Sequence, residues 1–183
     1  MPRIEGERVV LREFRREDIP EIHAWANDPE IVRFLSWAVF PQTLRETERF
    51  VETQMNGEDP MNSGFVIALI DGDPCIGTTG LHKVDWRNRC AELGIVIGKR
   101  DYQGKGYGKE AVDLLLGFAF NELNLHRISL QVFDFNERAI RSYRKSGLVE
   151  EGRLREAFYR EGAYHDILFM GITEEEFRLR STK

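Results

Sequence analysis

The sequence is short of several things, and each shortage removes a class of protein. Its 183 residues hold two cysteines, Cys75 and Cys90, well separated from each other and from any histidine at metal-ligand spacing. Neither a disulfide scaffold nor a zinc site fits such a pair, which reads as two reduced thiols of a cytoplasmic protein. Long apolar runs are missing: nothing approaches the ~18 residues of a membrane span, so no membrane partner is expected. The first ten residues, MPRIEGERVV, lack the apolar stretch of a secretory leader. A positive excess is missing too. Lys and Arg number 26 against 31 Asp and Glu, for a net charge of -5, and the basic residues are scattered. A duplex-binding protein needs a basic face to neutralise phosphates, so no nucleic-acid partner is expected. The four histidines, His23, His82, His126 and His165, show no ligand spacing, and no metal is expected.

What is present describes a folded protein. Hydrophobic residues make up 42% of the chain, and no repeat, low-complexity tract or linker divides it. One continuous domain, residues 1–183, is the expectation.

Residues 7–13 read as a first strand with a β-branched centre. Asp18 stands where an N-cap belongs, Pro20 is tolerated in the first helical turn, and Asn27-Asp28-Pro29 stops that helix. Residues 31–41 read as an aromatic-rich connection. Thr43, three residues before Glu46, has capping-box spacing and opens a second helix ending near Gly57. Three strands follow in meander order: 65–70, 75–84 and 90–97, the first two joined by an Asp71-Gly72 turn. Residues 109–123 are apolar nearly all round, as a helix buried on most sides requires. A strand (127–133), a helix (136–145, closed by Gly147) and a pair of strands around Glu161-Gly162 complete the pattern. Thr173 and Glu176 suggest a last capped turn. The order β-α-α-β-β-β-α-β-α-β-β is an α/β (α+β) mixture on a mixed sheet, with a crossover that implies local parallel pairing.

The most informative segment is residues 100–109, RDYQGKGYGK. Gly104, Gly106 and Gly108 let the chain turn tightly and let a ligand approach, because no Cβ intervenes. The helix that follows leaves its first N–H groups unpaired, which suits a phosphate. The run is neither a P-loop, which needs Gly-Lys-Ser/Thr, nor the dinucleotide G-x-G-x-x-G. A plain glycine-rich turn and a phosphate cradle both fit the residues alone.

Gln103-Gly104-Lys105-Gly106-Tyr107-Gly108 resembles the Q/R-x-x-G-x-G/A motif of the GNAT superfamily of N-acetyltransferases. Residues 91–97 (AELGIVI) look like that family's strand before the loop, and residues 136–147 (NERAIRSYRKSG) like its N-x-x-A-x-x-x-Y-x-x-x-G helix. The tail, Glu151-Gly152 through Tyr164-His165-Asp166, is similar to ribosomal-protein N-terminal acetyltransferases and spermidine acetyltransferases. The resemblance is strong from Ala91 onward and is one of layout before it. It implies a mainly antiparallel sheet flanked by helices, with a splayed parallel strand pair at the cofactor site. It also implies acetyl-CoA as co-substrate, an amine as acceptor, and direct attack within a ternary complex. By the same resemblance, the loop residues Gln103, Gly104, Lys105, Gly106, Tyr107, Gly108 and Lys109 grip the coenzyme A pyrophosphate. Main-chain groups of the strand containing Ile95, Val96 and Ile97 pair with the pantetheine arm and the acetyl oxygen.

Tyr143 falls at the family's Tyr position and is the candidate proton donor to the departing thiolate; a core aromatic on an amphipathic helix is the alternative. Asn136 suits both an N-cap and a contact to the pantetheine arm. Arg141, like Arg138, reaches either the phosphates or solvent. A Glu that some relatives carry on the strand after the loop helix is Gln131 here, which cannot accept a proton. Glu92 is the remaining candidate base, with an outward salt bridge as its alternative. Trp25, Phe34, Trp37 and Phe40 either roof an acceptor cleft or seal the core. The expected acceptor is a protein N-terminus or a small amine, with polyamines as the second reading and a silent coenzyme-A-binding module or a nucleotide binder as the third. A monomer or homodimer is expected.

Overall fold

The computed structural model describes residues 3–36, 40–59 and 61–180. In chain order the elements are β1 (Ile4–Glu5), β2 (Val9–Arg12), α1 (Ile19–Ala26), α2 (Pro29–Val32), α3 (Leu44–Asn56), β3 (Ser63–Leu69), β4 (Cys75–Asp85) and β5 (Cys90–Ile97). There follow α4 (Tyr107–Gly117), β6 (Arg127–Phe133), α5 (Glu137–Lys145), β7 (Val149–Arg160), β8 (Ala163–Thr173) and α6 (Glu174–Arg180). Among the described residues the strands form one sheet in the order β1-β2-β3-β4-β5-β6-β8-β7. All neighbours are antiparallel except β5 and β6, which α4 connects as a crossover. The mixed, mainly antiparallel α/β architecture is the one expected.

Alternation along the strands builds a core on each face. Val9, Leu11, Phe65 and Ile67 turn toward α4, where they meet Leu115, Leu116 and Phe120. Val10, Val66 and Ala68 turn the other way and meet Ile22, Trp25 and Val51 of α1 and α3. The all-round apolar character of residues 109–123 has its expected consequence: Ala111, Val112, Leu115, Leu116, Ala119 and Phe120 are at most 1% exposed. The end of that helix widens into a π turn, Leu123 N–H donating to Phe118 C=O at 3.1 Å. None of the described helices is long and apolar enough to cross a membrane.

Both capping boxes form. Thr43 and Glu46 exchange side-chain-to-backbone bonds at the start of α3, and Thr173 and Glu176 do the same before α6. Glu161 and Gly162 turn the β7–β8 hairpin, both at positive φ.

Three local readings need correction. Asp18 precedes α1 but caps nothing there with its side chain. Its carboxylate takes a bidentate bond from the buried Arg12 guanidinium (2.8 Å for each pair) and one from Arg15 N–H, because a buried cation outcompetes a helix end for an anion. The β3–β4 turn has its left-handed residues at Gly72 and Asp73, one later than expected. Asp73 is drawn there by Arg15 at 2.6 Å and by Arg3 and Arg12 at 3.3 Å. Finally, the connection after Asn27 is partly helical (α2), Asp28 capping it through Glu30 N–H. Trp37 lies outside the described residues.

Candidate active site

The crossover creates the site. β5 and β6 pair only at Cys90↔Arg127, Ala91↔Ile128 and Glu92↔Ser129. Beyond Glu92 the strands part, and from Leu93 to Ile97 β5 is paired with β4 alone. A parallel pair that opens this way leaves one edge of β5 with backbone groups to be met by something other than a strand. β5 leads, through a short 3-10 turn at Arg100–Tyr102, into the glycine loop and the N-terminus of α4.

In that loop Gly104 (φ 72°) and Gly106 (φ 89°) occupy the left-handed region, where a Cβ would be strained. A side chain at Gly104 would meet no protein atom within 4 Å, so the outer side of the loop is open. Gln103 ties the loop back to β5, its amide donating to Ile97 C=O at 2.8 Å. Arg8, far away in sequence, clasps the loop from the other side. It donates to Lys105 C=O (3.0 Å), lies over the Tyr107 ring (4.6 Å) and pairs with Glu110 in the first turn of α4 (3.0 Å). Glu110 also accepts from the Arg8 and Val9 amides at 2.7 and 3.1 Å. Partial burial by itself would raise the Glu110 pKa, but those amides and the Arg8 guanidinium outweigh it and hold the carboxyl below its usual range. Sequence reading missed this clamp, whose partners are about a hundred residues apart.

The opening is a cleft of about 970 Å³. Of the residues expected in the site it brings together Ile95, Val96, Ile97, Gln103, Gly104, Gly106, Gly108, Lys109, Asn136, Arg141 and Tyr143. Lys105 and Tyr107 belong to the loop but do not line the cleft. Tyr143 lies against the core under α4, and burial pushes its phenol up to about 12. No described residue hydrogen-bonds to its hydroxyl. Asn136 caps α5, accepting from Ala139 N–H at 3.3 Å, and lines the cleft as well. Arg141 pairs with Glu137 (3.0 Å) and Lys109 with Asp113 (2.5 Å). Arg138 and Lys145 also line the cleft, so one wall carries four cations, and none of the described lining residues is an Asp or Glu.

Glu92 stands apart from this group. It lies outside the cleft lining, its carboxylate 3.0 Å from the exposed Lys83 ammonium. That is the outward salt-bridge alternative in geometric form. The aromatic connection is also divided. Trp25, 6% exposed, packs in the core beneath α1 and also lines the cleft, Phe40 points to solvent, and Phe34 lines the cleft while stacking on Phe135 at 5.9 Å. Of the last hairpin, Tyr164, His165 and Asp166 stay outside, whereas Ile167 lines the cleft.

The opposite end of the cleft rests on a feature the sequence did not announce. Gly64 is registered with Gly80, and Gly80 with Gly94, so three residues without side chains lie side by side across β3, β4 and β5. A Cβ at Gly64 would fall 2.5 Å from the Gln54 carboxamide and 3.1 Å from the Phe14 ring. Phe14 and Phe50 meet edge to face at 5.5 Å as one wall of this trough, and His82, Gln54 and Phe133 line it too.

Residues 8–149 match the model of the acetyltransferase (GNAT) domain. The chain belongs to the GNAT acetyltransferases. It is 31% identical to a spermidine N(1)-acetyltransferase of Vibrio cholerae over 175 residues, 95% of this chain and 98% of the relative. A Bacillus subtilis relative provisionally named a ribosomal N-acetyltransferase is 35% identical over 109 residues, covering 60% of this chain and 58% of its own. Among solved structures, spermidine N-acetyltransferase from Vibrio cholerae in complex with CoA and spermine superposes with a TM-score of 0.82 at 30% identity. That match covers 93% of this chain and 98% of the other. As a GNAT enzyme the protein is an acetyl-CoA-dependent acyltransferase.

Proposed function

We propose that the chain, acting as one acetyltransferase domain, moves the acetyl group of acetyl-CoA directly to a primary amine bearing a single charge. A protein N-terminus or a small monoamine is the acceptor class. The observation that carries this reading is the edge of β5 from Leu93 to Ile97, left unpaired by β6, which leads toward the glycine loop and opens into the cleft that Tyr143 also lines.

Residues 103–109 suit a diphosphate: Gly104 leaves its outer side free, and the N–H groups opening α4 have no partner within their own helix. Acetyl-CoA, when bound, supplies an acyl carbon already activated as a thioester. Of Ile95, Val96 and Ile97, those whose main-chain N–H groups alternate onto the open edge of β5 hold the arm and polarise the carbonyl as it gains negative charge. Tyr143 protonates the departing sulfur. Its raised pKa keeps the hydroxyl protonated throughout the neutral range, and its freedom from protein partners leaves it available. Asn136 fixes the start of α5, and with it the position of Tyr143.

The acceptor end argues about charge. A polyamine carries several ammonium groups and calls for carboxylates, yet the described lining offers Phe14, Phe34, Phe50, Phe133, Ile167 and the Gln54 amide instead. The names of the relatives support the polyamine reading, and the side chains support an amine beside an apolar group. A cytoplasmic monomer or homodimer, with Cys75 and Cys90 as free thiols, goes with this reading.

The test is a screen that reads free thiol release from acetyl-CoA over short peptides with free N-termini, apolar monoamines and spermidine. Peptides or monoamines are expected to give the highest kcat/KM. Spermidine above all others restores the polyamine reading. Coenzyme A binding without turnover of any amine leaves a silent binding module.

A further inference from the structure

The acceptor amine arrives as an ammonium and must lose a proton before it can attack. We propose that His82 takes that proton, its Nε2 acting as the general base of the acetyl transfer; this rests on the reading in the preceding subsection. Three observations place it there.

The first is position. The imidazole lies on Gly94: a Cβ at that glycine would be 2.8 Å from His82 Nε2 and 3.1 Å from Cδ2. Gly94 is the second residue past the last β5–β6 pair, so Nε2 stands at the mouth of the strand opening, in the same cleft as Tyr143. The second is the tautomer. The Asn62 amide nitrogen donates to the Asp59 carboxylate, which accepts only, so Asn62 Oδ1 must face the other way. That oxygen accepts from Lys83 N–H at 3.3 Å and meets His82 Nδ1 at 3.2 Å. Nδ1 therefore carries the hydrogen, and Nε2 is left with its lone pair toward the cleft. The third is the backbone. Pairing of β4 with β5 is broken between His82 and Asp85, and Lys83 sits at φ 51°. A bulge at this point re-aims the side chain beside it.

The charged groups facing His82 are Glu92 across the strand pair, Lys83 next in chain and Asp59 beyond Asn62. Partial desolvation of the ring, whose side chain is still surface-exposed, lowers the imidazole pKa; Glu92 and Asp59 oppose this and Lys83 assists it, and the result lies below the ordinary value. The ring is neutral, and able to accept, at neutral pH. The hydrogen bonds from Asn62 and Met61 hold the Asp59 carboxyl below its usual range, so the anchor of the chain remains ionised.

In the step itself, Nε2 takes one proton from the ammonium. The freed nitrogen lone pair forms the C–N bond with the thioester carbonyl carbon, and the C–S bond breaks. Sulfur takes its proton from Tyr143, the second proton lost by the nitrogen replaces that one, and the imidazolium returns its proton to water. Ammonium and thioester thus become amide, thiol and one released proton.

The experiment compares wild type, His82→Ala and His82→Gln with the best amine of the screen, at saturating acetyl-CoA. Both variants are expected to lose about 10²-fold or more in kcat, within the usual range for a general base. Coenzyme A binding by calorimetry should be unchanged, and added imidazole should restore His82→Ala. Wild-type kcat should fall as pH drops through a pKa below ~6.5, a limb that moves up toward the amine's own pKa in His82→Ala. His82→Gln keeps the test open if the alanine variant does not fold. A kcat within about threefold of wild type in either folded variant overturns the proposal, and so does a loss with an unmoved pH limb and no imidazole rescue. Absence of wild-type turnover with every amine instead overturns the acetyl-transfer reading on which it stands.

Discussion

Removing the Glu110 carboxylate tests whether the glycine loop is held from outside by the first strands. In the folded chain this group accepts from two backbone amides and one guanidinium, at 2.7, 3.1 and 3.0 Å, with the carboxylate side chain 16% exposed. Each such bond is worth on the order of 1 kcal/mol net, more where the acceptor is charged. Arg8 is half exposed, and water takes over part of what is lost. Glu110→Ala should therefore cost about 2–3 kcal/mol. For a chain of this size that is roughly a 5–10 °C drop in Tm, measurable by calorimetry. Releasing Arg8 also frees Lys105 C=O, so the Kd for coenzyme A should rise in the same variant. Glu110→Gln keeps an acceptor for the amides but loses the charge, and should fall between. The pH dependence has a fixed sign. The folded-state pKa is depressed, so the carboxylate's contribution is complete above the unfolded value of about 4.3 and is lost as pH falls through the folded one. The stability gap between wild type and Glu110→Gln should therefore narrow on acidification below about pH 4. An unchanged Tm together with an unchanged coenzyme A affinity in Glu110→Ala would refute the clamp.

Two further substitutions separate catalysis from folding. Tyr143→Phe should keep coenzyme A binding while lowering kcat by about 10–10²-fold; undiminished turnover removes Tyr143 from the reaction. Asp18→Asn removes the bidentate carboxylate from the buried Arg12, which is 2% exposed and keeps only Asp73, at 3.3 Å, as a charged partner. It should cost about 3–5 kcal/mol in denaturant unfolding, with a Tm shift of less than about 3 °C counting against the pair.

What could be read in the sequence was what is local. Thr43 with Glu46 and Thr173 with Glu176 act across three residues, and both boxes form as their spacing demands. The glycine loop was legible because alternating glycines before a buried helix leave few backbone solutions. Asp18 and the β3–β4 turn were misread because each depends on arginines brought in by the fold. The chemistry of Arg8, Gln54 and His82 was hidden for the same reason. Arg8 acquires meaning only against Glu110, Gln54 only over Gly64, and His82 only between Asn62 and Gly94. The three glycines of the trough are unremarkable in sequence, and only strand register aligns them.

The cationic wall makes a last distinction that motif matching cannot. Arg141 falls where the family motif points, but Glu137 sits 3.0 Å from it, and Lys109 has Asp113 at 2.5 Å. Each of these cations is partly neutralised before a ligand arrives. Arg138 and Lys145 line the same wall without an ion pair to a described residue, so their fields reach the cleft uncompensated. An exposed charge pair is worth about 0.5–1 kcal/mol, which corresponds to roughly a two- to fivefold change in affinity. Arg138→Ala and Lys145→Ala should each raise the KM for acetyl-CoA by about that factor and flatten its rise with added salt, because screening acts on the same field. Arg141→Ala should do less, since it removes a cation and at the same time releases a carboxylate. The acceptor KM, governed by an end of the cleft without charged lining among the described residues, should stay nearly constant in all three. A larger effect from Arg141→Ala than from either of the others would mean that position along α5, and not net charge, decides which cation meets the phosphates.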